Sequence, residues 1–346
     1  MLTTDQGDHP VPYQLEEKVH LEDLGIRFYQ QYRFHGIKKL YVAQRKERLF
    51  SLCLSNRLQS IKPDVIVCTT ANYTDINVIS RLKGDIPLIV ESHSIFRQTF
   101  GQKGLRNRYA DYMYRRGLSK SQMIVALTES DANDWRKSFP NVCVIPNMVH
   151  LNEGDVSSLD LKRVVWVGRY DYQKRPMEIL RIWKEIYPQF PDWNLDLYGE
   201  GELQEELEKK ARLLNMNSHV HRPTAQIFDA FRESSIMVST SLFEPFGLVI
   251  PEAMSCGLPV IAYDCPYGPS AIIKDGQDGF LIRNNDVQAF ANCLCQLMKD
   301  QTIRQKIGHA AIASSSLYAA ERIMLKWKSL FEKLAAPKVQ EHTSFL

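Results

Sequence analysis

Short apolar runs rich in β-branched residues alternate with stretches of helical periodicity along most of the chain, and this alternation restricts it to α/β architecture with parallel sheets. Two such series appear. The first has runs at Asp64–Cys68, Pro87–Glu91, Gln122–Leu127 and Val142–Ile145, with helical stretches around 73–83, 104–118 and 129–137 between them. The second opens at Arg163–Gly168 and enters a helix at Pro176, whose missing N–H has no intrahelical partner at a first helical position. Its strands continue at Asn194–Tyr198, Ile236–Thr240 and Pro259–Tyr263, and 286–335 reads as successive helices. Between the series, Pro146–Leu161 is rich in Asn, Gly and Ser and lacks periodicity, which marks an interdomain linker. The expected domains are therefore 1–150 and 151–335, with a tail over 336–346; a chain of 346 residues is long enough for two cores. Doubly wound domains bind ligands outside the carboxyl ends of their strands, so function is sought in the strand-to-helix turns.

Composition narrows the classes. Apolar residues at 44% and charged residues at 24% exclude a disordered chain or a coiled-coil array. No 18-residue apolar run occurs, and Met1–Pro10 lacks the basic start and apolar stretch of a signal peptide, so a cytoplasmic location is expected. Seven cysteines, an odd number, fall mostly in strand-like or helical apolar segments, and reduced thiols are expected. Cys293 and Cys295 have no second Cys or His pair near them and read as helix positions rather than metal ligands.

Charge is uneven. Residues 1–150 hold 21 Lys and Arg against 15 Asp and Glu, net +6, and the remainder holds 22 against 25, net −3. The excess concentrates between Arg27 and Arg48, interleaved with Phe28, Tyr29, Tyr32, Phe34 and Tyr41, and in a second cluster of Lys103, Arg106, Arg108, Arg115 and Arg116. Cations mixed with aromatics suit an anionic membrane surface, an anionic lipid-linked molecule or RNA, and a solvated helix face also accounts for them. No RRM or KH signature accompanies them, so no nucleic-acid partner is expected.

Four turns carry chemistry. The densest follows Ile236–Thr240 and runs from Ser241 through Glu244, Pro245, Phe246, Gly247, Pro251 and Glu252 to Gly257. Gly247 allows a ligand to approach the backbone, and a helix starting after it would aim free N–H groups at a diphosphate. Pro245 and Pro251 prevent one regular helix, so Glu244 and Glu252 need not share a face. The second turn is Gly168-Arg169 with Lys174 and Arg175, where a planar guanidinium and a point charge can neutralise a leaving diphosphate. No D-x-D occurs in the chain, which disfavours a metal-bridged diphosphate. The third is Tyr198-Gly199-Glu200-Gly201, where a nucleobase could lie against the backbone, although a plain turn fits as well. The fourth is Glu91-Ser92-His93-Ser94, which would place His93 at a cleft mouth, able to donate a hydrogen bond or shuttle a proton, or as a bystander.

The run from Glu244 to Pro269, EPFGLVIPEAMSCGLPVIAYDCPYGP, resembles the E-x7-E signature of the retaining glycosyltransferase family 4, also called group 1. The G-R-x4-K turn, the Y-G-E-G strand end and the segment Ala271–Leu281 are similar to that family too, and the resemblance covers about residues 10–335. It implies the GT-B fold: two Rossmann-like doubly wound domains with parallel sheets facing a central cleft, the C-terminal helices packing back toward the first domain. The first domain would hold a glycan or lipid-linked acceptor and the second a nucleotide-sugar donor, usually UDP-linked, in cell-surface polysaccharide assembly. No cofactor and no metal are implied beyond that co-substrate.

Carried onto this chain, the resemblance assigns Gly168, Arg169 and Lys174 to the diphosphate, with both cations stabilising the departing nucleotide, and Gly199 to the donor site. Glu252 would hydrogen-bond the ribose hydroxyls. Glu244 would lie beside the donor sugar, and the backbone of Phe246, Gly247, Leu248 and Val249 would meet phosphates and sugar. His93 matches a histidine near the reacting sugar. Two departures stand out. Ala271 occupies a position where the family usually carries Glu, and the usual opening strand and glycine-rich loop are not found: the seven glycines before residue 150 are all isolated. Other readings are a non-catalytic nucleotide-binding remnant, a nucleotide-sugar epimerase, and a phosphorylase, for which no pyridoxal-phosphate lysine is identified.

Overall fold

The computed structural model describes residues 1–11, 15–69, 72–100 and 104–335. Lys103 of the second basic cluster and the tail 336–346 lie outside the described residues. The chain divides into two compact units, one formed by Met1–His93, Arg97–Val125 and the residues from Phe331 on, the other by Ser94–Phe96 and Ala126–Leu330.

The strands are β1 (Leu2–Thr3), β2 (Glu22–Asp23), β3 (Ile66–Thr69), β4 (Leu88–Glu91), β5 (Met123–Ala126), β6 (Val142–Val144), β7 (Arg163–Val167), β8 (Asn194–Tyr198), β9 (Ser218–His221), β10 (Ile236–Ser239), β11 (Val260–Asp264) and β12 (Phe280–Arg283). The helices are α1 (Gly36–Ile61), α2 (Tyr73–Leu82), α3 (Phe96–Thr99), α4 (Leu105–Leu118), α5 (Glu129–Arg136), α6 (Pro176–Ile186), α7 (Gln204–Leu214), α8 (Ile227–Arg232), α9 (Val249–Ser255), α10 (Pro269–Ile272), α11 (Val287–Lys299), α12 (Gln301–Ser315) and α13 (Ala320–Ala335). A 3₁₀ turn, Phe28–Arg33, precedes α1.

Strands β12-β11-β10-β7-β8-β9 form a six-stranded sheet, and β3-β4-β5-β6 a four-stranded one. In the larger sheet β10 lies between β7 and β11, with Met237 opposite both Val165 and Val260, all in parallel register. Both faces are covered. Val164 and Trp166 of β7 pack with Leu180 and Trp183 of α6 and Phe290 of α11, whereas Val165 between them packs with Ile250 and Met254 of α9 and Ala311 of α12. That period-two division is why β7 and β10 read as continuous apolar runs. Pro176 opens α6 as its position suggests, and Ile179, Trp183 and Ile186 recur on its buried side.

In the first unit, β3, β4 and β5 pair in parallel, Val67 opposite Ile89 and Val90 opposite Ile124. α2 starts at Asn72, whose side-chain oxygen accepts from the Thr74 and Asp75 N–H groups and satisfies two otherwise orphaned donors. The elements not expected from the sequence include β9, β12, α1, α7 and α8. β9 (SHVH) alternates without large apolar residues, β12 begins at the end of a segment read only as a motif, and α1 carries apolar residues on both sides, which blurs its period.

Candidate active site

Each residue expected to meet a donor lies at or just after the point where a strand of the second unit hands over to a helix. β7 ends at Val167, and the Gly168 N–H donates to the Tyr198 carbonyl at the end of β8 (3.1 Å). The two strand ends touch so closely that a Cβ at Gly199 would overlap the Gly168 carbonyl oxygen. Gly199 is therefore required by backbone packing, whatever ligand lies beside it. The turn then runs to α6 through Asp171, whose carboxylate accepts from the Lys174 N–H (2.8 Å).

Arg169 and Lys174 leave that turn in different states. Arg169 is exposed, with Nη2 2.9 Å from Asp171 and 3.0 Å from Gln173. Lys174 is largely buried and its Nζ pairs with Glu244, the two side chains being 16% and 5% exposed. Glu244 also accepts from the Ser241 hydroxyl (2.7 Å), and its backbone N–H donates to Pro266 while its carbonyl accepts from Tyr267 and Gly268. A buried carboxylate held by one cation and one hydroxyl is fixed in place, because leaving either charge alone in that setting is costly.

The segment after Glu244 turns on Gly247, whose φ of 95° lies in the left-handed region. Phe246 is buried with its ring edge-on to Tyr318 at 5.3 Å, so only its backbone remains for a ligand; Leu248 is exposed and Val249 begins α9. Glu252 follows in α9. Burial raises its carboxyl pKa to about 7, because removal from water disfavours the charged form.

A hollow of about 310 Å³ gathers part of this set: Gly168, Arg169, Gly199 and Glu252 line it with Tyr198, Thr224 and Ile227 among others. Three segments that the sequence places far apart thus share one wall. Lys174 packs beside Gly168, a Cβ there meeting its Cγ at 3.4 Å, and Glu244 stands beside Gly247. His93 belongs to the first unit, after β4. Its Nε2 lies 3.4 Å from Glu91, and the hydrogen bond and charge of that carboxylate raise the imidazole pKa above its ordinary value.

Sequence reasoning missed the supports. Ser241 orients Glu244. Tyr198 is stacked on His221, ring centres 4.4 Å apart, and His221 is held by Asp196 at 2.7 Å. Pro223 and Thr224 come from the turn after β9 and Ile227 opens α8, and β9 itself carried no apolar signal. Among the described residues no cluster of His, Cys, Asp or Glu has the arrangement of a metal site, and no helix is long and apolar enough to cross a membrane.

Comparison with known proteins adds the following. The family model "Glycosyl transferases group 1" matches residues 155–314, and "Glycosyltransferase Family 4" matches 13–153. The amylovoran biosynthesis glycosyltransferase AmsD of Erwinia amylovora is 33% identical over 221 residues, 61% of this chain and 62% of its own length. The chain spans a smaller share, 23%, of another curated relative it matches at 30% identity. Among solved structures, the sucrose-phosphate synthase of Thermosynechococcus elongatus superimposes with a TM-score of 0.77 at 18% identity, covering 96% of this chain and 88% of that one. Anabaena HepE in complex with UDP gives 0.69 at 19% identity, covering 82% of each chain. At these identities the superpositions establish the two-domain Rossmann-like fold.

Proposed function

The chain belongs to the family 4, group 1 glycosyltransferases, and we propose that it transfers a sugar, with retention of configuration, from a UDP-linked donor to a glycan or lipid-linked acceptor in cell-surface polysaccharide assembly. The observation that carries this reading is the hollow that Gly168, Arg169, Gly199 and Glu252 line together, beside the Lys174–Glu244 pair. AmsD serves amylovoran biosynthesis and HepE binds UDP, which favour a polysaccharide product and a uridine donor.

Glu252 receives the ribose hydroxyls. Arg169 exchanges Asp171 and Gln173 for diphosphate oxygens, to which its planar fork is matched. Lys174, held by Glu244, stays aimed at the bond that breaks. The anomeric carbon parts from the β-phosphate oxygen, the acceptor oxygen bonds to that carbon from the same side, and the acceptor proton passes to the departing phosphate. Once Arg169 has taken up the diphosphate, the two cations stabilise the charge that grows there without further reorganisation, which is the dominant contribution in such a site. The reaction takes place at the cytoplasmic face of a membrane.

Calorimetric titration with UDP, ADP and GDP tests the donor side. UDP is expected to bind with release of a proton near pH 6, since ribose hydroxyls donate to the ionised form of Glu252. Glu252→Ala should weaken binding, and Arg169→Ala should lower transfer by about 10²- to 10³-fold. If no nucleotide binds, the donor reading fails.

A further inference from the structure

α8 borders two hollows of the second unit. Ile227 lines the one already described, whereas Gln226, Phe228, Asp229 and Arg232 line another of about 450 Å³. Its facing wall is His150–Gly154, from the segment that follows β6. The volume falls within the roughly 300–1,000 Å³ of small-molecule sites. That wall is pinned from behind: the Val149 N–H donates to the Tyr318 carbonyl (2.9 Å), the Asn152 N–H to the Ser255 hydroxyl (2.9 Å) and the Ser157 N–H to the Cys256 carbonyl (2.8 Å). Arg232 ties the two walls together, Nη1 donating to Asn152 Oδ1 (2.8 Å) and Nη2 pairing with Asp229. A cavity whose walls are fixed before a ligand arrives loses little freedom on binding it.

The groups left over select the ligand. His150 and Glu153 are exposed and make no hydrogen bond or ion pair among the described residues. Gln226 accepts from the Thr224 hydroxyl (3.3 Å) and keeps its amide nitrogen free. The rings of His150 and Phe228 stand edge-on, centres 5.5 Å apart, and form an aromatic corner backed by the fully buried Phe231. Asp229 neutralises Arg232, so the unpaired charge at the hollow is the carboxylate of Glu153, which repels phosphates and nucleic acid. A wholly apolar ligand would strip water from these polar groups without replacing its hydrogen bonds. A pyranose ring fits both halves of the lining: its C–H face is drawn to the negative face of an aromatic ring, and its hydroxyls donate to a carboxylate and accept from an amide.

We propose that this hollow binds a neutral sugar chain, with the C–H face of one ring on Phe228 and hydroxyls on Glu153, Gln226 and His150. A chain held on one side of α8 is kept at high local concentration beside the first hollow. Only the identity of that chain, the acceptor or its lengthened product, rests on the transferase reading. Sugar binding here and UDP binding in the first hollow are measured separately and fail separately.

The full chain is titrated calorimetrically with maltohexaose, cellohexaose and chitohexaose, and with hexagalacturonate as the anionic counterpart, each in the absence and presence of excess UDP. At least one neutral hexamer is expected to bind, with the same affinity whether or not UDP is present. Phe228→Leu keeps an apolar side chain against Phe231 but removes the flat face, and should weaken binding about 10-fold. Glu153→Ala should weaken it about 10-fold through loss of a charged acceptor, and, being at an exposed position, should melt with the parent. Neither substitution should alter UDP binding. The proposal is overturned if no neutral hexamer binds, if both variants bind it like the parent, or if UDP displaces it, which would place the sugar in the first hollow. Tighter binding of hexagalacturonate than of every neutral chain would overturn it as well.

Discussion

The helices α6 and α1 flank sheets of the same parallel design, yet α6 buries six side chains in 11 residues and α1 two in 26. The strands repeat the contrast. All four residues of β10 are buried, against Cys68 alone in β3. The second unit spends its apolar residues on itself and so provides a rigid floor for the turns at Gly168, Gly199 and Gly247. In the first unit a long helix keeps much of its apolar and cationic surface on the outside, where it is available to something else.

The largest effect that would sharpen this contrast is in the core. Leu197→Ala, at a fully buried position in β8, should cost up to about 5 kcal/mol, and Leu52→Ala on α1 within about 0.5 kcal/mol, both by urea unfolding. Comparable losses would break the comparison, because α1 would then belong to a core. Next comes the buried ion pair. Lys174→Met strands Glu244 without its cation and should cost about 4 kcal/mol, most of it recovered when Glu244 is also replaced by Met. A smaller effect depends on pH. Glu252 titrates at 4.5 when exposed and about 7 in the fold, so folding favours its protonated form. The parent's stability from this group is complete below pH 4.5 and is lost as pH rises through about 7. Glu252→Gln should therefore be more stable than the parent by about 3 kcal/mol above pH 8 and equal to it at pH 4, read from thermal unfolding. A difference that does not vary with pH would contradict that assignment.

The same contrast explains what could be read in the sequence. Strands β7, β10 and β11 are covered on both faces, so their runs are apolar throughout and stand out against their surroundings. Gly168, Arg169, Glu244 and Glu252 were legible because turns at strand ends need particular residues. α1 was not, because Ile37, Leu40, Tyr41 and Leu52 face outward while Phe50 and Leu54 face inward, and no single period survives. Nor could the sequence reveal that Ser241 and Lys174 both hold Glu244, or that Thr224 joins Gly168 in one wall; those meetings are set by the pairing of β7 with β10 and β8 with β9.

The contact between Gly168 and Gly199 has a consequence for altering what the hollow accepts. Any side chain at position 199 would drive β7 and β8 apart at their ends, so the floor cannot be widened or reshaped by substitution there. Variation has to enter from the rim, at Pro223 and Thr224 in the turn after β9 and at Ile227, which opens α8. Under the proposed function, a library meant to change donor preference should leave the glycines alone and randomise that rim.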